Sequence, residues 1–364
     1  MLGAFQESYL TLVKICALFC MLIMSYSLYD HLTRKRKARR QAKRAGQIRK
    51  ILEQYAEPSK AKQKRQSRRL MRWLKNPMGL LALVTAMDEM GWTDSSKITP
   101  QTRWMLCDLL TELYIKVYRK TEIYVQGLLI NLLIRCDASS SRLKQILLKC
   151  LESNQPLLRV EALRCICGQR NRKMLILALE RISREPLPFS NKLITDTLMT
   201  FQGNSERLME ELWQALPGYS PEIQVTVLQA IAAMDGSAYA ERVLAMVRNT
   251  KVDMEVRIAA IKYFGTIEAP ECVPVLAQML SAETWEYAAV AAKILEKYDC
   301  CSVFQELKQG ICSRNWYVRS NCARTIVHAC DPQQIREAML VDDRYGRDSV
   351  RYAMEMARKE EVAV

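Results

Sequence analysis

The chain has 364 residues, 49% of them apolar, enough to bury a sizeable core in one large domain or a repeat array. Its formal net charge of +15 sits almost entirely in one segment: residues 31–75 hold 18 Lys/Arg against Glu53 and Glu57, a net of +16, while residues 76–364 hold 35 basic and 35 acidic residues. Residues 1–30 supply the remaining −1, from Lys14 against Glu7 and Asp30. That distribution excludes a chain that is basic throughout, and with it a polyanion-binding surface spread along the neutral part.

The first element is an apolar run, Tyr9 to Tyr29, interrupted by one charge, Lys14. As a helix it measures about 31 Å, which matches a hydrocarbon core of roughly 30 Å. Lys14 lies near one end, where it can snorkel, and Tyr9, Tyr26 and Tyr29 stand at interfacial positions. A cleavable signal peptide fits less well. Glu7 precedes the run, the run is too long, and Ser25-Tyr26-Ser27 is a poor cleavage exit. The expectation is an uncleaved transmembrane signal anchor.

Arg34, Lys35, Arg36, Lys37, Arg39, Arg40, Lys43 and Arg44 follow the run directly. By the positive-inside rule they place everything after the run in the cytoplasm, with residues 1–8 outside, in a single-pass cell-membrane protein. These eight cations are also the candidate contacts for anionic lipid. Thirteen cysteines without a framework spacing agree with a compartment where thiols stay reduced.

The collar, residues 30–76, reads as helix: "RKARRQAKRAGQIRKILEQYAE" has no proline before Pro58, and Ile48, Ile51, Leu52 and Tyr55 recur at helical spacing. "KQKRQSRRLMRWLKNP" sets Leu70, Met71, Trp73 and Leu74 among cations, the composition of an interfacial helix. From Pro77 onward helix patterns alternate with short polar breaks, beginning with an N-terminal helical cap over 77–124. In it Thr99 is the expected N-cap and Pro100 the first helical residue of "ITPQTRWMLCDLLTELYIKVY".

Self-similarity is the strongest signal in the rest. "VRIAAIKYFGTI" from Val256 is echoed by "VRSNCARTIVHA" from Val318, "LRVEALRCICGQ" from Leu158 and "IQVTVLQAIAAM" from Ile223. Weaker copies start at Tyr287, Leu193, Val125 and Val350. The anchors 125, 158, 193, 223, 256, 287, 318 and 350 are separated by 33, 35, 30, 33, 31, 31 and 32 residues. Each unit fits two short helices, the template stretch forming the second, with "PECVPVLAQMLS" as one of the first helices.

The Val-Arg-x-x-Ala-Ala pattern and its downstream apolar residue, clearest at Val256-Arg257, Ala259-Ala260 and Phe264, resemble the HEAT-repeat family in its short form of about 31 residues. The resemblance implies an all-α fold, a right-handed α-solenoid of HEAT-like helical hairpins over 125–358 with a tail at 359–364; the single transmembrane helix and basic helical linker expected from hydropathy and charge precede it. The Asp that family members often carry six residues before the Arg is missing here, those positions being Ser153, Lys251, Ser313 and Tyr345.

Helix phase sorts the repeated residues. At about 100° per residue, Val256, Ala260 and Phe264 share one face, Arg257 lies at its edge and Lys262 nearly opposite. Arg257, with its equivalents Arg159, Arg319 and Arg351, is expected to pack its stem between units and to cap carbonyls or pair with an acid. Lys262, Lys293 and Arg324 form a column of one cation per repeat, extended to Arg164, and are the candidate contacts for an acidic segment of a protein partner.

Catalytic signals are few. Two histidines, His31 and His328, form no His-Glu pairs, no metal-ligand spacing appears, and no glycine loop cradles a phosphate. Cys165 and Cys167 diverge on a helix, and with Cys300-Cys301 they are expected to be buried small hydrophobes. The expected function is a membrane-anchored cytosolic scaffold or adaptor, not an enzyme, without cofactor or metal, whose partner is possible as a membrane enzyme. Bilin lyases also resemble short HEAT arrays, so a lyase-type enzyme or regulator at the membrane is the alternative. A nucleic-acid-binding array is the second, and would need positive charge that the array lacks.

Overall fold

The computed structural model describes residues 2–55, 60–92, 95–117, 122–136, 141–184 and 189–362. All regular elements among them are helical. Contacts divide the chain into two compact units, Met1–Gln145 and Ile146–Val364.

Unit 1 contains α1 (Leu2–Gln54), α2 (Lys60–Leu74), α3 (Pro77–Glu89), α4 (Pro100–Lys116) and α5 (Ile123–Arg135). The second half of α1 packs along α3: Ala45, Ile48, Ile51 and Leu52 are buried at helical spacing, and the Gln41 amide donates to Thr85 Oγ1 at 3.0 Å. Leu70 and Leu74, one turn apart on α2, are fully buried, so they serve this core and not an interface. Asn76 caps α3 by accepting from the Met78 amide at 2.9 Å. Helix α4 starts at Pro100 as its sequence requires, although the Thr99 hydroxyl donates to Thr102 Oγ1 instead of capping the backbone.

The expected membrane span is not borne out. Among the described residues no helix is long and apolar enough to cross a membrane. The side chains of Tyr9–Ala17 and of Cys20 lie outside the described residues. The run lies within α1. The same helix then continues unbroken into the cations. The transmembrane part of the expected fold, and the single-pass cell-membrane localisation built on it, are withdrawn.

Helix α6 (Ser141–Leu151) carries the boundary between the units. Unit 2 continues with α7 (Pro156–Gly168), α8 (Arg172–Arg184), α9 (Asn191–Leu198), α10 (Ser205–Ala215), α11 (Pro221–Ala233), α12 (Ala240–Arg248), α13 (Met254–Tyr263), α14 (Val273–Met279), α15 (Trp285–Leu295), α16 (Phe304–Gly310), α17 (Trp316–Ala329), α18 (Pro332–Ala338) and α19 (Arg344–Val362). The odd-numbered helices pack side by side in chain order from α7 to α19. Helices α12, α14, α16 and α18 each pack on the odd-numbered helix that follows. This is a two-layer stack of helical hairpins, each touching mainly its neighbours, an all-α helical repeat array.

All eight sequence anchors fall on helices, Val125 on α5 in unit 1 and the other seven on the odd-numbered helices of unit 2. Val125, Leu158, Ile223, Val256, Tyr287, Val318 and Val350 are buried, and Phe264 is buried to 1% exposure. The anchor in α9 is displaced: Leu193 is 40% exposed and Ile194 fully buried, so this repeat is read one residue later.

Side chains from each hairpin close the polar ends of the one before. The Tyr298 hydroxyl donates to Phe264 O at 2.6 Å and also meets Ile267 O at 3.1 Å. Tyr263 Oη reaches Gly236 O at 2.5 Å, and Thr325 Oγ1 reaches Ala292 O at 2.7 Å. A helix C-terminus buried against a neighbour needs such donors, because its last carbonyls have no partner within the helix. Tyr298→Phe keeps the ring and removes the donor. We expect it to destabilise unit 2 by about 1–3 kcal/mol, read as a lower urea midpoint at unchanged m; an unchanged midpoint would show that the Phe264 carbonyl is satisfied without it.

Candidate functional site

The four expected partner-binding cations are all exposed, but they are not equivalent. Arg324 Nε lies 2.8 Å from Glu296 Oε1, and its Nη2 lies 4.0 Å from Glu360. Arg164 Nη1 lies 3.1 Å from Glu161. Lys262 on α13 and Lys293 on α15 have no ion-pair partner among the described residues. Because α13 and α15 are adjacent, these two ammonium groups stand on helices roughly 8–10 Å apart, about one Debye length at physiological salt. The guanidinium of Arg324, by contrast, is ion-paired to Glu296 and Glu360.

The repeated arginines are structural in a more specific way than their phase suggests. Arg257 is buried with its guanidinium 4.7 Å from the Tyr287 ring centroid, and its Nε donates to Val247 O at 2.7 Å. Arg159 is buried against Phe189 at 4.8 Å, and burial lowers its pKa. Arg319 lies 5.5 Å from the Tyr345 ring and donates to Ser313 O at 2.8 Å and Arg314 O at 2.9 Å. In each case an arginine of one repeat meets an aromatic ring of the next, a cation–π seam between hairpins. Arg351 does not join it. It is exposed, 3.6 Å from Asp348, and Arg347 takes its place, donating to Val341 O at 2.6 Å and Asp342 O at 2.9 Å. Arg347 is one helical turn before Arg351 and so shares its face, which explains the misassignment.

The collar cations Lys35, Arg36, Lys37, Arg39, Arg40, Lys43 and Arg44 are exposed along α1; the side chain of Arg34 lies outside the described residues. Their assignment to anionic lipid depended on a neighbouring span, and it loses its basis with the span.

Cys165 and Cys167 are buried as expected, and burial pushes the Cys167 thiol up to about 12. Cys300 is buried too, its thiol hydrogen-bonded to Leu295 O at 3.1 Å, but Cys301 is exposed, against expectation. It opens the short turn Cys301–Val303, and the Asp299 carboxylate accepts from its amide at 3.0 Å. His328 lines a cleft of about 630 Å³ with Ile335, Arg358 and Glu360. Among the described residues no three His, Cys, Asp or Glu side chains form a metal-ligand group.

Comparison with known proteins identifies no relative by sequence: no family model and no curated protein matches. Among solved structures, a Kap121p mutant is similar with a TM-score of 0.46 at 11% identity. That match covers 85% of this chain and 40% of the other, so the chain spans well under half of that protein. Human deoxyhypusine hydroxylase in complex with glycerol gives a TM-score of 0.30 at 16% identity, over 81% of this chain and 96% of that one. What makes unit 2 a helical repeat array is its own packing, the side-by-side odd-numbered helices and the seam between them.

Proposed function

We propose that the chain is a scaffold or adaptor that binds a protein partner through unit 2, laying an acidic segment of that partner across Lys262 and Lys293. The observation that carries this reading is the contrast within the column. Two lysines on adjacent helices are exposed without an acid, while Arg164 and Arg324 are ion-paired to residues of the chain itself. Exposed ammonium groups at this spacing attract an extended anionic ligand, and the attraction weakens as salt rises. Arg324, already held by Glu296, contributes less and marks one end of the contact.

The test must separate this surface from the collar, whose net charge of +16 also attracts anions. A ten-residue oligoglutamate carrying a benzophenone is crosslinked to the full chain and the adducts are mapped by mass spectrometry. Adducts are expected in peptides from α13 and α15, and Lys262→Glu with Lys293→Glu should remove them while leaving adducts in residues 34–75. Adducts confined to the collar, or α13 and α15 adducts that survive the double reversal, contradict the proposal.

A further inference from the structure

Unit 2 has a second unusual surface, where α15, α17 and α19 begin. Trp285 is the first residue of α15, Trp316 and Tyr317 open α17, and Tyr345 is the second residue of α19. These four rings are 42%, 59%, 56% and 67% exposed. They are not scattered. Trp285 and Tyr317 stack with centroids 5.7 Å apart and planes 18° from parallel, and Trp316 meets Tyr317 edge-on at 5.1 Å. Tyr345 has a separate partner, the Arg319 guanidinium, which lies 5.5 Å from its ring while its Nη1 donates to the Ser313 and Arg314 carbonyls. Single exposed apolar residues are ordinary, but three aromatic rings in mutual contact across two repeats form a patch of the kind that marks binding surfaces.

We propose that this edge binds a proline-rich segment of a partner in the polyproline II conformation. Spacing is the first argument. Helices of adjacent repeats lie roughly 8–10 Å apart, and a polyproline II helix advances about 9.3 Å per three-residue turn. The Trp285 and Tyr317 rings are stacked only 5.7 Å apart with Trp316 edge-on at 5.1 Å, so the rings of α15 and α17 form one platform that meets a single turn of such a ligand. Hydrogen bonding is the second. A polyproline II backbone has no internal hydrogen bonds, so its carbonyls are free to accept. The indole N–H groups of Trp285 and Trp316 and the hydroxyl of Tyr317 are donors with no partner among the described residues. Charge is the third. Arg319 and Arg347 are bonded to carbonyls, Arg344 lies 3.7 Å from Asp348, and Asp343 accepts from the Gly346 amide at 2.5 Å. A carbonyl leaves the guanidinium charge in place, so the count is Arg314, Arg319, Arg344 and Arg347 against Glu283, Glu286, Asp343 and Asp348: neither sign dominates, and an uncharged ligand is favoured over the acidic one drawn to Lys262 and Lys293.

The probe is fluorescein-labelled decaproline, titrated with the full chain and read by fluorescence anisotropy, against a labelled glycine–serine decamer. Decaproline is uncharged, so the collar does not compete for it. Saturable binding of decaproline alone is expected, weakened roughly tenfold or more by Trp316→Ala with Tyr317→Ala, and separately by Trp285→Ala. Both variants change exposed positions, and an unaltered thermal melt confirms their folding. Lys262→Glu with Lys293→Glu should leave decaproline binding intact, so the two surfaces stand or fall independently. The proposal is overturned if decaproline binds no better than the glycine–serine peptide, or binds the aromatic variants as well as the unaltered chain. It is equally overturned if sedimentation shows that this edge is instead buried in a dimer which the Trp316→Ala, Tyr317→Ala chain no longer forms.

Discussion

Phe264→Asp is expected to unfold the middle of unit 2. The ring is 1% exposed at the end of α13 and packs edge-on against Tyr263 at 5.2 Å. A carboxylate there would be buried without a partner and would leave the volume of the ring unfilled. Either effect alone costs several kcal/mol, and together about 5 kcal/mol, a large fraction of the stability of an ordinary domain. Lys262→Asp, two residues away and exposed, should change stability by less than about 0.5 kcal/mol. Thermal melts of the two variants side by side decide the matter. Similar losses would mean that α13 is rotated relative to the packing described here.

Arg257→Met should have the second largest effect on the fold. The substitution keeps much of the apolar stem but removes the Nε donor to Val247 O at 2.7 Å and the cation 4.7 Å from Tyr287. Val247 lies in the last turn of α12, so its carbonyl would be left in a buried seam without its donor. The loss should be about 2–4 kcal/mol. Arg257→Lys should recover only part of it, because an ammonium group lacks the planar fork that reaches carbonyl and ring together. Arg351→Met, exposed and beside Asp348 alone, should be nearly silent, whereas Arg347→Met should resemble the Arg257 change. Urea midpoints for the four variants test the order, and a silent Arg257→Met would remove the seam as a source of stability.

The repeat period was legible in the sequence because a buried stripe must recur wherever one hairpin packs on the next. Val256, Val318 and Phe264 are core residues for that reason, as are Ile48, Ile51 and Leu52 on the collar helix. Register was less legible where the helix is short. Helix α9 has only eight residues, Asn191–Leu198, too few for the pattern to distinguish Leu193 from Ile194. Arg347 and Arg351 were confused because a whole turn separates them and periodicity cannot tell one turn from the next. The ion pairing of Arg324 was hidden because Glu296 belongs to the preceding repeat, 28 residues away in the chain. The aromatic edge was missed for a different reason: residues at helix starts contribute nothing to a core-facing stripe. The 31-residue interval from Trp285 to Trp316, equal to the repeat period at that point, is the signal that could have found it.

The central claim is that unit 2 is a stack in which each hairpin is held by its neighbours and in which Lys262 and Lys293 stay outside the stack. Hydrogen–deuterium exchange of the Phe264→Asp chain tests it most directly. The stack predicts accelerated exchange in α13, then in α11 and α15 which pack against it, with α3 in unit 1 keeping its protection. Uniform acceleration through both units, or acceleration limited to α13 with α11 and α15 unchanged, would contradict it.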